Sequence, residues 1–201
     1  MSMTMKAQED ETRKDGKAEE LLGDDGVSIE IKKLGKNSRR IHSKVGIEAS
    51  LDSVWNVLTN YEKLSDVYST LVSSELVEKE GNRSRVLQIA QKSLLGVKVS
   101  AKVVLDFYEK DLEILPNGKR RDIEFKMVEG NFHSLQGKWT IEQFDEGETS
   151  ESEAKDVRTT LSYLVDVQPK PWLPVGLIEG RFCNEIEANL SGIRQASLKP
   201  V

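Results

Sequence analysis

Hydrophobic residues change their spacing several times along this chain, and each change predicts an element. From Val72 to Gln168 they mostly alternate with polar residues, the two-residue period of strands that bury one face. The clearest run is Val97, Val99, Ala101, Val103, Leu105 and Phe107, interleaved with Lys98, Ser100, Lys102 and Asp106. Further strands are expected over 73–79 and 84–92 around a turn at Gly81-Asn82, around Ile123, Phe125 and Met127, over 135–144, and over 159–167. At the C-terminus the period lengthens: Val175, Ile178, Phe182, Ile186, Leu190 and Ile193 recur at three- and four-residue steps, the stripe of one long amphipathic helix between Pro174 and Pro200.

The N-terminal part carries weaker signals of the same kind. Val27, Ile29 and Ile31 alternate in a possible edge strand, and a second strand runs over 41–49. Ser50 sits where a helix N-cap belongs, with Asp52 in the first turn and Leu51, Val54, Trp55 and Leu58 as its apolar face. An irregular helical piece follows through Tyr61, Leu64, Val67 and Tyr68. The order is strand, two short helices, a meander of about six strands and one long helix. That order implies an α+β fold in which a curved antiparallel sheet wraps around the C-terminal helix. A twisted sheet cannot close fully on one straight helix, so a cavity between them is expected.

Composition bounds the rest. With 201 residues and 37% hydrophobic content, the chain suits one folded domain. Residues 1–25 are charged and nearly devoid of apolar side chains, so they are expected to be a disordered leader ahead of a single domain over 26–201. The leader has neither a secretory signal nor the Arg- and Ser-rich character of a transit peptide, and no apolar run is long enough to span a bilayer. An intracellular, soluble chain is the expectation. Residues 1–33 hold nine acids against six bases and residues 145–156 six acids against one base, so the remainder of a chain of net charge −5 carries about +3. That suits weak peripheral contact with an anionic membrane and is too little for nucleic acid.

Residues that carry chemistry are sparse. The lone Cys183 excludes a disulfide framework and is expected to be a structural thiol. His42 and His133 stand apart with no ligand partners at metal spacing, and phosphate-binding and nucleophile-elbow motifs are missing. No cofactor, metal or catalytic residue is therefore assigned. The cluster Lys36, Arg39 and Arg40 reads first as solvated charge, with phosphate binding as the alternative. Two polar residues, Arg85 beside Leu87 and Ile89, and Glu185 beside the helix stripe, are positioned to face inward, where each would need a partner or a polar ligand group.

Four stretches resemble a known family. They are Ser50 to Thr59 followed by Asn60-Tyr61-Glu62-Lys63-Leu64, the Ser74-to-Glu78 strand together with Val128 to Trp139, and Pro169-Lys170-Pro171-Trp172-Leu173-Pro174 leading into the last helix. The chain from about Arg40 to Ala196 resembles the START-like helix-grip superfamily, in particular the polyketide cyclase/dehydrase branch that includes the coenzyme Q-binding proteins, with plant plastid and cyanobacterial members most similar. Where that family often places prolines after its Tyr-Glu-Xaa-Leu motif, this chain has Ser65 and Ser69.

The resemblance implies a cavity holding a lipid, isoprenoid quinone or polyketide-like molecule, and a chloroplast as one setting. The expected ligand contacts are Trp55, Leu87, Ile89, Val99, Ala101, Val103, Leu105, Phe125 and Trp139, with Ile178, Phe182 and Ile186 from the helix. The expected mouth is Tyr68, Leu71, Trp172 and Leu177. Three functions remain open: a non-enzymatic carrier or chaperone of a hydrophobic small molecule, a cyclase or dehydratase using the same cavity, and an interaction module with a vestigial cavity.

Overall fold

A computed structural model describes residues 19–22, 26–94, 96–145 and 157–200 of the chain. The chain begins with strands β1 (Glu19–Leu22), β2 (Ser28–Gly35) and β3 (Ser38–Ile47), then helix α1 (Leu51–Thr59), a 3-10 turn at Tyr61–Lys63 and the short helix α2 (Leu64–Val67). Strands β4 (Leu71–Glu80), β5 (Arg83–Leu94), β6 (Val97–Glu109), β7 (Glu113–Leu115), β8 (Gly118–Gly130), β9 (Phe132–Phe144) and β10 (Thr159–Pro169) follow, and α3 (Val175–Ser197) ends the fold. This is the helix-grip arrangement of a curved antiparallel sheet with short early helices and one long final helix.

All strands belong to one sheet in the order β1-β2-β3-β10-β9-β8-β6-β5-β4, with β7 paired to β8 alone. The meander from β4 to β10 is thus extended past β10 by the first three strands. Register shifts between Val104 and Leu105, and within the β4–β5 pair, are the irregularities that let antiparallel strands bend and coil. β4 lies at the sheet's edge and keeps Glu75, Glu78, Lys79 and Glu80 in solvent, charge that discourages a further strand from pairing there.

Two differences from the sequence reading concern the first strands. Glu19–Leu22, inside the stretch expected to be disordered, pairs with Ser28–Ile31. Edge pairing runs through backbone groups, so the missing apolar stripe does not forbid it. The rest of the leader, and all but Asp145 of the acidic stretch over 145–156, lie outside the described residues. The basic cluster is also resolved: Arg39 is buried against Glu179 at 2.9 Å, and Arg40 makes a two-pronged contact with Asp166.

α1 starts as its sequence dictates, with the Ser50 hydroxyl accepting from the Ser53 amide at 3.1 Å. α3 cannot be capped that way because Pro174 precedes it. The β2–β3 turn supplies the cap instead: the Asn37 side chain accepts from the Val175 amide at 2.7 Å and donates to the Leu173 carbonyl at 3.1 Å. The 23 residues of α3 span roughly 35 Å, and the helix packs chiefly on β3 and α1. Its weight therefore rests on one side of the sheet, and the inner face of β5, β6 and β8 is left for α2 and the 3-10 turn to roof over. Gly192 makes that roof possible, since a Cβ there would run into the Val67 carbonyl at the end of α2.

Candidate functional site

The space under that incomplete roof is a cavity of about 200 Å³. Its floor is the inner row of β6, Ala101, Val103, Leu105 and Phe107, flanked by Ile123 and Phe125 of β8. Phe182, Ile186 and Leu190 of α3 form one wall, and Leu58, Leu64, Tyr68 and Leu71 close it on the side of the short helices.

An aromatic layer runs across the floor. Tyr61 packs on Phe107 at 4.9 Å between ring centroids, Phe125 stacks on Tyr163 at 5.6 Å with the planes 13° apart, and Trp139 lies 4.2 Å from Tyr163. The stack depends on Gly137. Its absent side chain leaves the room that the Phe125 ring fills, and a Cβ there would meet both that ring and the Leu164 carbonyl. At the far end Phe132 meets Phe182 edge-on at 6.2 Å.

Of the contacts expected from sequence, Ala101, Val103, Leu105, Phe125, Trp139, Phe182 and Ile186 line this cavity, as do Tyr68 and Leu71. Leu87 and Ile89 do not, because strand register turns them outward. Val86, Gln88 and Ala90 pair with Leu105, Val103 and Ala101, and directly opposed residues share a face. Both faces of β5 are apolar enough to mislead an alternation argument, whereas the hairpin register decides it. The same register puts Arg85 outside, in a two-pronged contact with Asp106 at 2.8 and 3.0 Å, and this hydrogen-bonded guanidinium holds the Asp106 carboxyl below its usual range.

Five further residues fall away from the cavity. Trp55 is buried under the Arg121 guanidinium, 3.5 Å from the ring centroid, and Leu58 faces the cavity from the next turn of α1. Val99 keeps the inward parity of β6 but lies beyond the cavity's end, 48% exposed. Ile178 is on the first turns of α3, also short of the cavity. Trp172 and Leu177 are 79% and 72% exposed and are not among its lining residues.

The polar residues inside were mostly missed: Gln88, Thr70, Tyr163 and Asn189, alongside the anticipated Glu185. Asn189 was legible, since it stands four residues after Glu185 on the same helix face. Burial raises the hydroxyl pKa values of Tyr68 and Tyr163, so both stay protonated. Cys183 is buried beside the stripe, and burial pushes its thiol up to about 11, which keeps it protonated at neutral pH. Among the described residues no group of His, Cys, Asp and Glu has metal-site geometry.

Glu185 is the acid of the site. Its carboxylate lies 3.8 Å from the Lys92 ammonium, an ion pair too long to be a hydrogen bond. Burial raises its pKa, and Lys92 and then Arg181 oppose the shift. A carboxyl raised on folding contributes stability that is whole below its unfolded value, about pH 4, and is lost as pH rises through the folded one. Glu185→Gln removes that loss, so the melting temperature of the variant relative to the parent should be higher at pH 7 than at pH 4. A difference independent of pH would show that Lys92 cancels the cost of burial.

Comparison with known proteins agrees with this geometry. No curated protein matches the chain in sequence. In structure it is similar to a STAR-related lipid transfer protein from Xanthomonas axonopodis, with a TM-score of 0.68, 14% identity and coverage of 90% of this chain and 99% of the other. The human StarD13 lipid transfer and protein localization domain gives a TM-score of 0.64 at 14% identity, covering 92% and 91%. The Zhui aromatase/cyclase from a Streptomyces species gives 0.57 at 15%, covering 80% and 93%. At such identities the likeness is one of fold. The family model described as polyketide cyclase / dehydrase and lipid transport matches residues 47–194, from the end of β3 through nearly all of α3, and the chain belongs to that family.

Proposed function

We propose that this chain binds an apolar small molecule between α3 and the inner sheet face and carries or shields it without transforming it. The observation that supports this is the cavity itself, walled by aliphatic and aromatic side chains on elements held apart by the uneven seating of α3. Lipid transfer appears in the names of structural neighbours and the family description joins polyketide cyclase / dehydrase with lipid transport, and a hydrophobic ligand is what these have in common. At about 200 Å³ the cavity is smaller than the roughly 300–1,000 Å³ typical of small-molecule sites, so a medium-length chain or a single ring suits the closed form. An isoprenoid quinone, the occupant favoured by resemblance to the coenzyme Q-binding branch, would have to leave its tail in the mouth or displace α2. The plastid setting of similar members makes a chloroplast the compartment to test first.

A cyclase or dehydratase has one observation in its favour, the raised carboxyl of Glu185 inside the cavity. Acid–base catalysis on a ring or alcohol needs a second group in hydrogen-bonding reach of the substrate, and Lys92 is already occupied by the ion pair. Carriage is the simpler reading.

Delivery then needs a surface. The β5–β6 tip, the turn between β8 and β9, and the turn from β10 into α3 share one end of the sheet, because Ala90 pairs with Ala101, Val103 with Gly130, and Phe132 with Pro169. That end exposes Val97, Trp172 and Leu177, with Lys98 and Lys170 in the same segments. Exposed apolar residues among lysines fit the interface of an anionic bilayer, where indole is favoured. Trp172→Ala should slow transfer of a fluorescent decanol derivative between phosphatidylcholine vesicles containing phosphatidylserine several-fold, while changing its equilibrium affinity little. Equal losses of rate and affinity would place Trp172 in the binding structure and remove it from the docking surface.

A further inference from the structure

Of the buried side-chain polar atoms left without a partner among the described residues, one belongs to a residue that lines the cavity. Oδ1 of Asn189 is sealed from solvent and has no hydrogen-bond partner among the described residues, and Asn189 is one of the residues that line the cavity. Leaving a buried acceptor unmatched destabilises the fold, and a leucine at this position would continue the apolar wall with Ile186 and Leu190 at no such cost. The residue is therefore poor as packing and suited to a ligand. One turn earlier on the same face, Glu185 lines the same cavity, its charge offset by Lys92. Across the cavity, Gln88 spends only a long 3.5 Å hydrogen bond on Ser74.

We infer that the occupant of this cavity carries a hydroxyl group, seated on the Asn189 amide with the Glu185 carboxylate beside it and its hydrocarbon laid over the aromatic floor. This rests on the binding reading above and adds the chemical class. A hydroxyl both donates and accepts, so it satisfies the acceptor Oδ1 and the donor Nδ2 together. A pure hydrocarbon satisfies neither, an ether only the donor. A fatty carboxylate brings negative charge toward Glu185 and has no proton for Oδ1. The ligand class is thus an aliphatic or alicyclic alcohol.

The test compares 1-decanol, its methyl ether and decanoate, each titrated against a displaceable fluorescent apolar probe at pH 8. The unaltered protein should bind decanol roughly tenfold more tightly than the ether, the worth of one buried hydrogen bond. Asn189→Leu should bring decanol and ether to equal affinity, keep the ether's own affinity within about twofold, and melt no lower than the parent because an unmatched buried amide has been removed. Decanoate should be the weakest in both proteins. Equal affinities for decanol and ether in the unaltered protein would overturn the assignment, as would an alcohol preference that survives Asn189→Leu, and the first of these needs no variant to fold. If none of the three displaced the probe, the binding reading itself would fail, a result distinct from binding without preference.

Discussion

Ala101→Trp is expected to abolish binding of an apolar probe, by a factor of 100 or more, and to leave the fold intact. Ala101 sits on the floor of the cavity, on β6 opposite Ala90, so both members of that cross-strand pair are small where the space is. An indole buries about 150–250 Å² when enclosed, and a cavity of about 200 Å³ leaves no room for it and a ligand together. The side chain enters existing space, so the usual cost of inserting atoms into a filled core is largely avoided. Far-ultraviolet circular dichroism and the melting temperature should stay near those of the parent while the displacement titration goes flat. Unchanged affinity in a folded variant would move the ligand off the sheet.

The second large effect is on stability. Gly137→Val should lower the melting temperature by roughly 10 °C, the shift that about 3 kcal/mol produces in a chain of this size. Gly137 lies in the inner row of β9 between Leu135 and Trp139, where even a single Cβ would strike the Leu164 carbonyl of β10 and the edge of the Phe125 ring. A ring could rotate away. The neighbouring strand's backbone could not, short of breaking the ladder that joins β9 to β10. Gly137→Ala should show the same sign with a smaller fall, and both are read from thermal melts of the full chain. A valine variant that melts with the parent would mean that the two strands part easily there, and the aromatic floor would then not be the rigid element described above.

Much of the fold was legible because long, regular patterns leave few alternatives. The start of α1 was marked by Ser50 and Asp52, α3 by its stripe between prolines, and β6 by six apolar residues at a two-residue period. The cavity lining was legible where one face of an element is plainly apolar, as for Val103, Leu105, Phe182 and Ile186. It was not legible where both faces are. In β5 the residues Val86, Leu87, Gln88 and Ile89 satisfy either parity, and only pairing with β6 reveals that a glutamine points in while two large aliphatics point out. Trp55 shows a different limit. It belongs to the correct helix and the correct stripe, but a stripe of four residues spans enough angle for Leu58 to meet the cavity while Trp55 meets Arg121. The pairing of β1, the capping of α3 by Asn37 and the unmatched amide of Asn189 depend on contacts between segments far apart in the chain, and a one-dimensional pattern does not carry those.

The central claim is that a ligand enters the cavity, and the three tryptophans of the chain allow it to be tested directly. Trp139 lines the cavity, Trp55 is buried outside it under Arg121, and Trp172 stands in solvent at the end of the sheet. A decanol brominated along its chain quenches an indole that it touches. Titrated into Trp172→Phe protein, it should quench part of the remaining fluorescence with saturation at one molecule per chain, and in Trp139→Phe protein it should quench almost nothing. Saturable quenching that survives loss of Trp139 and disappears with loss of Trp172 would place the ligand on the outer surface and contradict the account.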